Sequence, residues 1–473
     1  MKIRKIASLF LMSFLLPSCA STNGPRVLSV DLSDSVCTFM CNNCTGYSEE
    51  NKSDINADGT KMIFFHLYKT NADGVTTRVK FKTNKSDDDS YFKDEDFIFT
   101  DLTNISDKYF YGNFRGDRYF IDKQTGETLL FNQNYVLFDE HFSDYTSARH
   151  TYQEDKNGNI YTCAYCTDSH SYQIIKLAKE ENKIKANVVY DYGNNNDLYT
   201  VYIFSRDNFS YAVDNEGNVA CFAFNSANSY YFITSDGTVI NQQSKEICGN
   251  GNMYFWTGYD GNIYLIEEGN VKKIVYNNID KAISTENIVS YSELSNKDLS
   301  LDNFIFLDEA KKIFYYKENG KESIELYQLY GENISSEKIV ISDDSLFPKS
   351  EFEKSAAMMS IGEINADGNN IYVTSKGALI KNDERIECWV VAKINVDNNI
   401  SITRNHFSAY VIDAIRILRN GKMCIFYWND CPINIRDKGI FMSVGIFDTN
   451  TGELTSQDSF ITGNANRSHI ICL

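Results

Sequence analysis

Proline is nearly absent from this chain, 4 residues in 473, and tryptophan (3) and histidine (6) are scarce too. So little proline excludes a Pro-rich linker or a polyproline stalk. No apolar run approaches the roughly 18 residues of a membrane-crossing helix. A sustained 3.6-residue apolar stripe is also missing, so no long amphipathic helix organises the fold, and only residues 279–300 and 350–361 leave room for a helical turn or two. Positive charge is in short supply as well: 46 Lys+Arg face 64 Asp+Glu, a formal net charge of -18. A surface of that sign repels nucleic acid and anionic lipid, and steers cationic ligands or basic partners towards it.

Catalytic signatures are missing in the same way. There is no G-x-S-x-G elbow and no H-E-x-x-H pair, and Gly320-Lys321 and Gly421-Lys422 run on into Glu322 and Met423 where a P-loop needs Ser or Thr. The histidines His66, His141, His150, His170, His406 and His469 stand singly, which reads as solvated or hydrogen-bonded rings. Carboxylates on separate loops can still meet in space, and spacing along the chain does not reveal such a pair.

What the chain has in quantity is Tyr (31) and Phe (31), crowded with β-branched residues into short runs that favour strands. One stretch sets the pattern: residues 258–266, GYDGNIYLI, an Asp-Gly turn leading straight into an apolar strand. Relatives start at Asn157 (NGNIYTCAY), Asn215 (NEGNVACFAF), Asn365 (NADGNNIYVTS) and Arg419 (RNGKMCIFYW). Asx-Gly pairs make tight hairpins because the turn needs φ > 0, which Gly supplies without a steric cost. The marker glycines are at 59, 116, 158, 217, 261, 368 and 421, with Ala310 in place of the sixth-unit glycine, a mean spacing of about 52 residues. That is near the period of propeller blades.

The strand after each turn is a near-continuous apolar run, as in VACFAF or MCIFYW. A sheet with one wet face would alternate instead, so these strands are expected to be buried on both sides, as in blades stacked face to face. The fold class expected is therefore all-β, a β-propeller of four-stranded antiparallel blades. Eight blades follow from the marker count, and seven if residues 26–32 (RVLSVDL) close the ring beside the C-terminal strands. Residues 51–473 are expected to form this single domain.

The D-x-x-G-N-x-Y units resemble those of NHL and quinoprotein-type β-propellers. The phrases from Asp122 (DKQTGETL) and Asp448 (DTNTGELT) resemble the outer hairpin of quinoprotein-like blades, where a strand ends in Asp and a Thr-Gly-Glu turn starts the next. The resemblance implies fold and says little of activity, since propellers host enzymes, binders and scaffolds alike. The Trp-rich motif of quinoprotein enzymes is missing, which argues against a bound quinone.

The N-terminus carries an address. MKIRK is a positive n-region and residues 6–16 an apolar h-region, the build of a signal peptide over residues 1–18. The Leu16-Pro17-Ser18-Cys19 that follows resembles the lipobox of bacterial lipoproteins, with Pro17 departing from the usual residue at its position. The resemblance implies cleavage before Cys19 and its lipidation, palmitate included, so that a tether with a lead-in strand over residues 19–50 holds the body at a membrane of the bacterial cell envelope, outside the cytoplasm.

Twelve cysteines are present, and lipidation of Cys19 leaves an odd number. Cys41 with Cys44, and Cys163 with Cys166, form two C-x-x-C pairs, read as local disulfides or thiols; they lie too far apart in sequence for a zinc ribbon. Cys221, Cys388 and Cys424 sit inside apolar runs as small hydrophobes. Asp54, Asn56 and Asp58 match the first half of a calcium loop, but Met62 and Phe65 occupy its ninth and twelfth positions. Residues 363–368 repeat the pattern with Ile371 at the ninth. No cofactor is expected, calcium being the weak candidate. The functional expectation is a monomeric lipoprotein whose propeller binds a protein or glycan ligand and does not bind nucleic acid, rather than an enzyme. The alternative is a glycan lyase or hydrolase with its site at the central channel.

Overall fold

A computed structural model describes residues 26–41, 66–84, 99–114, 117–131, 134–137, 152–193, 210–222, 229–243, 254–267, 269–294, 299–300, 303–319, 323–354, 364–381, 384–396, 400–409, 411–428, 442–456, 460–461 and 465–473. These residues are mostly strand, with almost no helix. One helix of a single turn occurs among them, Asp343–Leu346, capped by Ser342, whose Oγ accepts from Ser345 N–H. Residues 279–300, where a helical turn had room, instead hold the strand Ala282–Ser290. No helix among the described residues is long and apolar enough to cross a membrane.

The strands form successive antiparallel meanders of four, in which the fourth strand is the more exposed except in the second unit, where Thr128–Phe131 is buried. The fifth unit shows the plan: Tyr254–Thr257, Ile263–Glu267, Asn270–Asn277 and Ala282–Ser290 pair in chain order. The second (from Phe99–Asn104), fourth (from Tyr211–Val213), sixth (from Phe304–Leu307) and eighth (from Val411–Ile417) repeat it. In the third and seventh units the first place is shared by two short strands, Tyr135–Leu137 with Tyr152–Glu154, and Phe352–Lys354 with Ile364–Asp367. The outer edges of the second and third units touch in a two-residue parallel register, Lys183 with Leu130 and Ile184 with Phe131.

The first unit is assembled from both ends of the chain. Its order is Ala465–Cys472, Ser35–Cys41, His66–Asn71, Thr76–Arg78, so the C-terminal strand takes the first place. Two sequence expectations change here. Residues 35–41, assigned to the lead-in segment, are the second strand of this sheet. The stretch 26–32 does not pair with the C-terminal strands; its strand Val27–Val30 pairs with Phe81–Thr83.

Burial follows the expected gradient. Second strands are buried on both faces, as in Ile263–Glu267, whereas the fourth strand Val239–Gln243 is mostly exposed. The buried side chains form eight clusters, and each lies between two consecutive units. Tyr161, Cys163 and Ile174 of the third meet Tyr211, Val213 and Val219 of the fourth. Ile305, Phe314 and Leu326 of the sixth meet Ile371, Val373 and Val390 of the seventh. The series ends where Cys37, Phe39 and Tyr68 of the first unit pack on Ala414, Cys424, Phe426 and Val444 of the eighth. Phe39 meets Phe426 edge to face with centroids 5.0 Å apart, an arrangement worth about 0.5–1.5 kcal/mol beyond its burial.

The marker turn joins first strand to second, and its Asp has a definite task. Asp155 Oδ1 accepts from Asn157 N–H and Asn159 N–H, while Oδ2 takes Asn159 Nδ2 and the Tyr161 hydroxyl. The D-x-x-G-N-x-Y motif is thus one hydrogen-bonded knot. In the fifth unit Gly258 stands where the third, fourth and sixth units have Asp155, Asp214 and Asp308. Asp260, two residues on, takes over by accepting from Asn262 and Tyr264.

Three marker assignments shift. Gly59 and Gly116 lie outside the described residues, and both fall in sequence between second and third strands. The second unit makes its first-to-second turn with Ser106, whose Oγ accepts from Lys108 and Tyr109 N–H. In the sixth unit the residue with left-handed backbone is Lys311 (φ 51), one after Ala310. The outer hairpins match the sequence reading closely: Asp122 accepts from Gln124 and Thr125 N–H, Asp448 from Asn450 and Thr451 N–H, and Gly126 and Gly452 take φ of 69 and 78.

Candidate functional site

First strands of different units converge on a pocket of about 190 Å3. The second unit supplies Ile105 and Ser106, the third Tyr152, Gln153, Glu154 and Ile160, the fifth Trp256 to Tyr259, and the sixth Phe306. It opens on the side where first strands run into the marker turns.

Its polar groups are held from behind. Thr257 Oγ donates its one proton to Val213 O (2.7 Å), which ties the fifth unit to the fourth, and lies 3.2 Å from Gln153 Oε1 of the third. Ser106 accepts two backbone N–H groups, which leaves its own hydroxyl proton free to donate. Trp256 is buried, stacked on Tyr264 with centroids 6.0 Å apart, and its indole N–H has no hydrogen-bond partner among the described residues. Tyr259, on the turn, donates to Asp308 at 2.9 Å and carries Lys311 over its ring at 4.9 Å.

Glu154 is the charged group of the wall. Its side chain opens to solvent, yet the surrounding walls desolvate the carboxyl, and Asp107 and Asp155 add negative charge; these raise its pKa above the ordinary value while Lys108 opposes them. Desolvation disfavours the charged form of any carboxyl, and neighbouring negative charge adds to it.

The residues singled out in the sequence lie elsewhere. Cys19, Cys44, Asp54, Asn56 and Asp58 fall outside the described residues, and Cys41 ends the strand Ser35–Cys41. Cys163 and Cys166 are free, buried thiols. Three apart on the strand Ile160–Cys166, they face opposite ways, Cys163 towards Cys221 and Cys166 towards Tyr135. Burial pushes the Cys163 thiol well up and Cys221 to about 12, so both are inert as nucleophiles at neutral pH. Asp367, of the second calcium-like stretch, accepts from Gly421 N–H of the eighth unit at 3.0 Å. Among the described residues no three His, Cys, Asp or Glu side chains gather as a metal cluster.

Of the pocket residues, Ile160, Gly258 and Tyr259 lie within the marker stretches, but no motif marks them or the others as a site. Their signal is a set of departures from the marker motif: Gly258 in the Asp position, Ser106 in place of an Asx-Gly pair, and Tyr259 inside a turn that is elsewhere polar.

No family model matches the chain, and no curated protein does. Solved structures that resemble it include a eukaryotic initiation factor, 10% identical over 85% of this chain and 95% of that one, at a TM-score of 0.40. The calcium-binding protein regucalcin from Agrobacterium tumefaciens is 12% identical over 54% and 78%, at 0.26. A protein from Lactobacillus plantarum is 10% identical over 95% and 100%, at 0.27. Likenesses this distant carry no argument about what the chain does.

Proposed function

We propose that the eight units close into one ring, an eight-bladed β-propeller, and that it works as a glycan-binding module of the bacterial cell envelope, tethered by lipid on Cys19. Closure is supported by the cyclic series of buried clusters and by the C-terminal strand taking the first place in the first unit. The observation that carries the binding reading is the pocket itself. Aromatic walls beside a few fixed polar groups suit a sugar, which offers apolar C–H faces and a rim of hydroxyls. In this reading a terminal sugar rests against Tyr259, with Trp256 packed behind it, and its hydroxyls bond Gln153, Glu154 and Ser106. The module acts as a monomer and its negative surface keeps nucleic acid away.

A thermal-shift and calorimetric survey of mono- and oligosaccharides tests this. Binding is expected, and Glu154→Gln should weaken it about tenfold, ~1.4 kcal/mol. No shift with any glycan, or binding that Glu154→Gln and Trp256→Ala leave unchanged, rejects the reading. One observation favours a second reading: a carboxyl with a raised pKa is suited to act as a general acid. Glycan cleavage by the same protein, lost in Glu154→Gln, would make the pocket that of a lyase or hydrolase. Tethering is tested by Cys19→Ala, which should move the protein from the detergent phase to the aqueous one. No cofactor enters this reading; calcium at Asp54, Asn56 and Asp58 would show as a Tm rise with added Ca2+ that Asp58→Asn removes.

A further inference from the structure

Two thiols meet where the ends of the chain come together. Cys37 lies on the second strand of the first unit, Cys424 on the second strand of the eighth, 387 residues apart in sequence, and their sulfurs are 3.4 Å apart. Both side chains are fully buried in the cluster that joins these two units, beside Phe39, Phe426 and Val444. A disulfide needs its sulfurs at about 2.05 Å. The approach required is about 1.4 Å, within reach of small rotations about the two Cα–Cβ bonds. The surroundings are apolar, where replacing two thiols by one disulfide leaves no polar group unpaired.

We infer that Cys37 and Cys424 form a disulfide that covalently closes the first unit onto the eighth. The co-reactant is a disulfide-bearing oxidant, either a dithiol oxidoreductase in its oxidised form or glutathione disulfide. One cysteine thiolate attacks a sulfur of that disulfide, and the first donor thiolate leaves. The second cysteine thiolate attacks the mixed disulfide, forms the Cys37–Cys424 bond and releases the second donor thiolate. The two protons given up by the cysteines end on the two donor thiols, so the donor is reduced by the two electrons that the protein loses. Because both sulfurs are sealed in the folded protein, exchange takes place while the first and eighth units are still docking. The finished bond is then shielded from reductant. The loop it closes is very long, which in the chain-entropy account favours stabilisation through the unfolded state. The inference stands apart from the glycan reading, since it concerns a different part of the molecule and needs no ligand.

The test uses the full chain without its first 18 residues, refolded with excess glutathione disulfide, then denatured and alkylated without reductant before peptide mapping. The expected result is a linked pair of peptides holding Cys37 and Cys424, two hydrogens lighter than their sum, that separates on reduction. Cys37→Ala and Cys424→Ala proteins should each leave the other cysteine alkylated. The wild-type protein should lose several degrees of Tm in reductant, a shift absent from both variants. Full alkylation of both cysteines in the wild-type protein refolded with oxidant and then denatured, or a link from either to any other cysteine, would overturn the inference. A variant that fails to fold leaves the wild-type map as the deciding result.

Discussion

The turn aspartates act as organisers of hydrogen bonds, and their charge states differ with their partners. Burial alone would raise Asp260, but bonds from Asn262, Lys273 and Tyr264 hold its pKa below the ordinary value. Asp214 is likewise desolvated and has only Asn218 and backbone N–H groups against it, so its pKa is raised. A lowered folded-state pKa contributes stability that is present above the unfolded value of about 3.8 and lost as pH falls through the folded one. Asp260→Asn should therefore cost about 1–2 kcal/mol at pH 7. That deficit should shrink as pH drops below the unfolded value, in urea melts run across the acid range. A deficit independent of pH would mean that the carboxylate charge contributes nothing. The turn glycines have a second reason to be glycine. At Gly261 (φ 72) an added Cβ would sit 1.8 Å from Asn215 Nδ2 of the preceding unit, whereas at Gly237 (φ 86) nothing lies within 4 Å. Gly237→Ala is expected to cost about 1 kcal/mol for its backbone alone, and Gly261→Ala clearly more; equal losses would mean that Asn215 yields without cost.

At the level of strands, the seam between the first and eighth units is where stability concentrates its risk. Phe426 fills that seam against Phe39, and Phe426→Ala should cost about 3–5 kcal/mol in equilibrium unfolding. A loss under 1 kcal/mol would show the two sheets to be loosely joined. Much of the strand plan was legible because D-x-x-G-N-x-Y encodes a turn and the buried strand after it in seven residues. Its phase was less so. Ser106 and Lys311 make the same turn without an Asx-Gly pair, since an ST-turn or a strained αL residue can serve once neighbouring strands fix the chain. The C-terminal strand carries no motif for its partner, because pairing across 430 residues is set by the sheet it completes, Cys37 facing Cys472. The pocket was least legible. Gln153 and Glu154 come from the third unit and Thr257 from the fifth, and their meeting depends on how first strands converge. Thr257 ends a first strand, and Gly258 and Tyr259 belong to the turn after it.

For the whole molecule, tethering by lipid on Cys19 and glycan binding at the pocket belong to the proposed function, and the packing of successive units is what the structure shows. Among the described residues each buried cluster joins two consecutive units. Each unit buries its faces only against its two neighbours, so the fold grows by repetition and its one special requirement is closure. In a closed ring the C-terminal strand is as well supported as any other first strand; in an open array it is a free edge. Amide hydrogen exchange at Ile470, Ile471 and Cys472, opposite Phe39, Thr38 and Cys37, tests this most directly. The closed ring predicts protection equal to that of the buried strand Lys422–Trp428 and lost with it in one cooperative step. Exchange of those three amides at the rate of a frayed terminus, while Lys422–Trp428 stays protected, would contradict it.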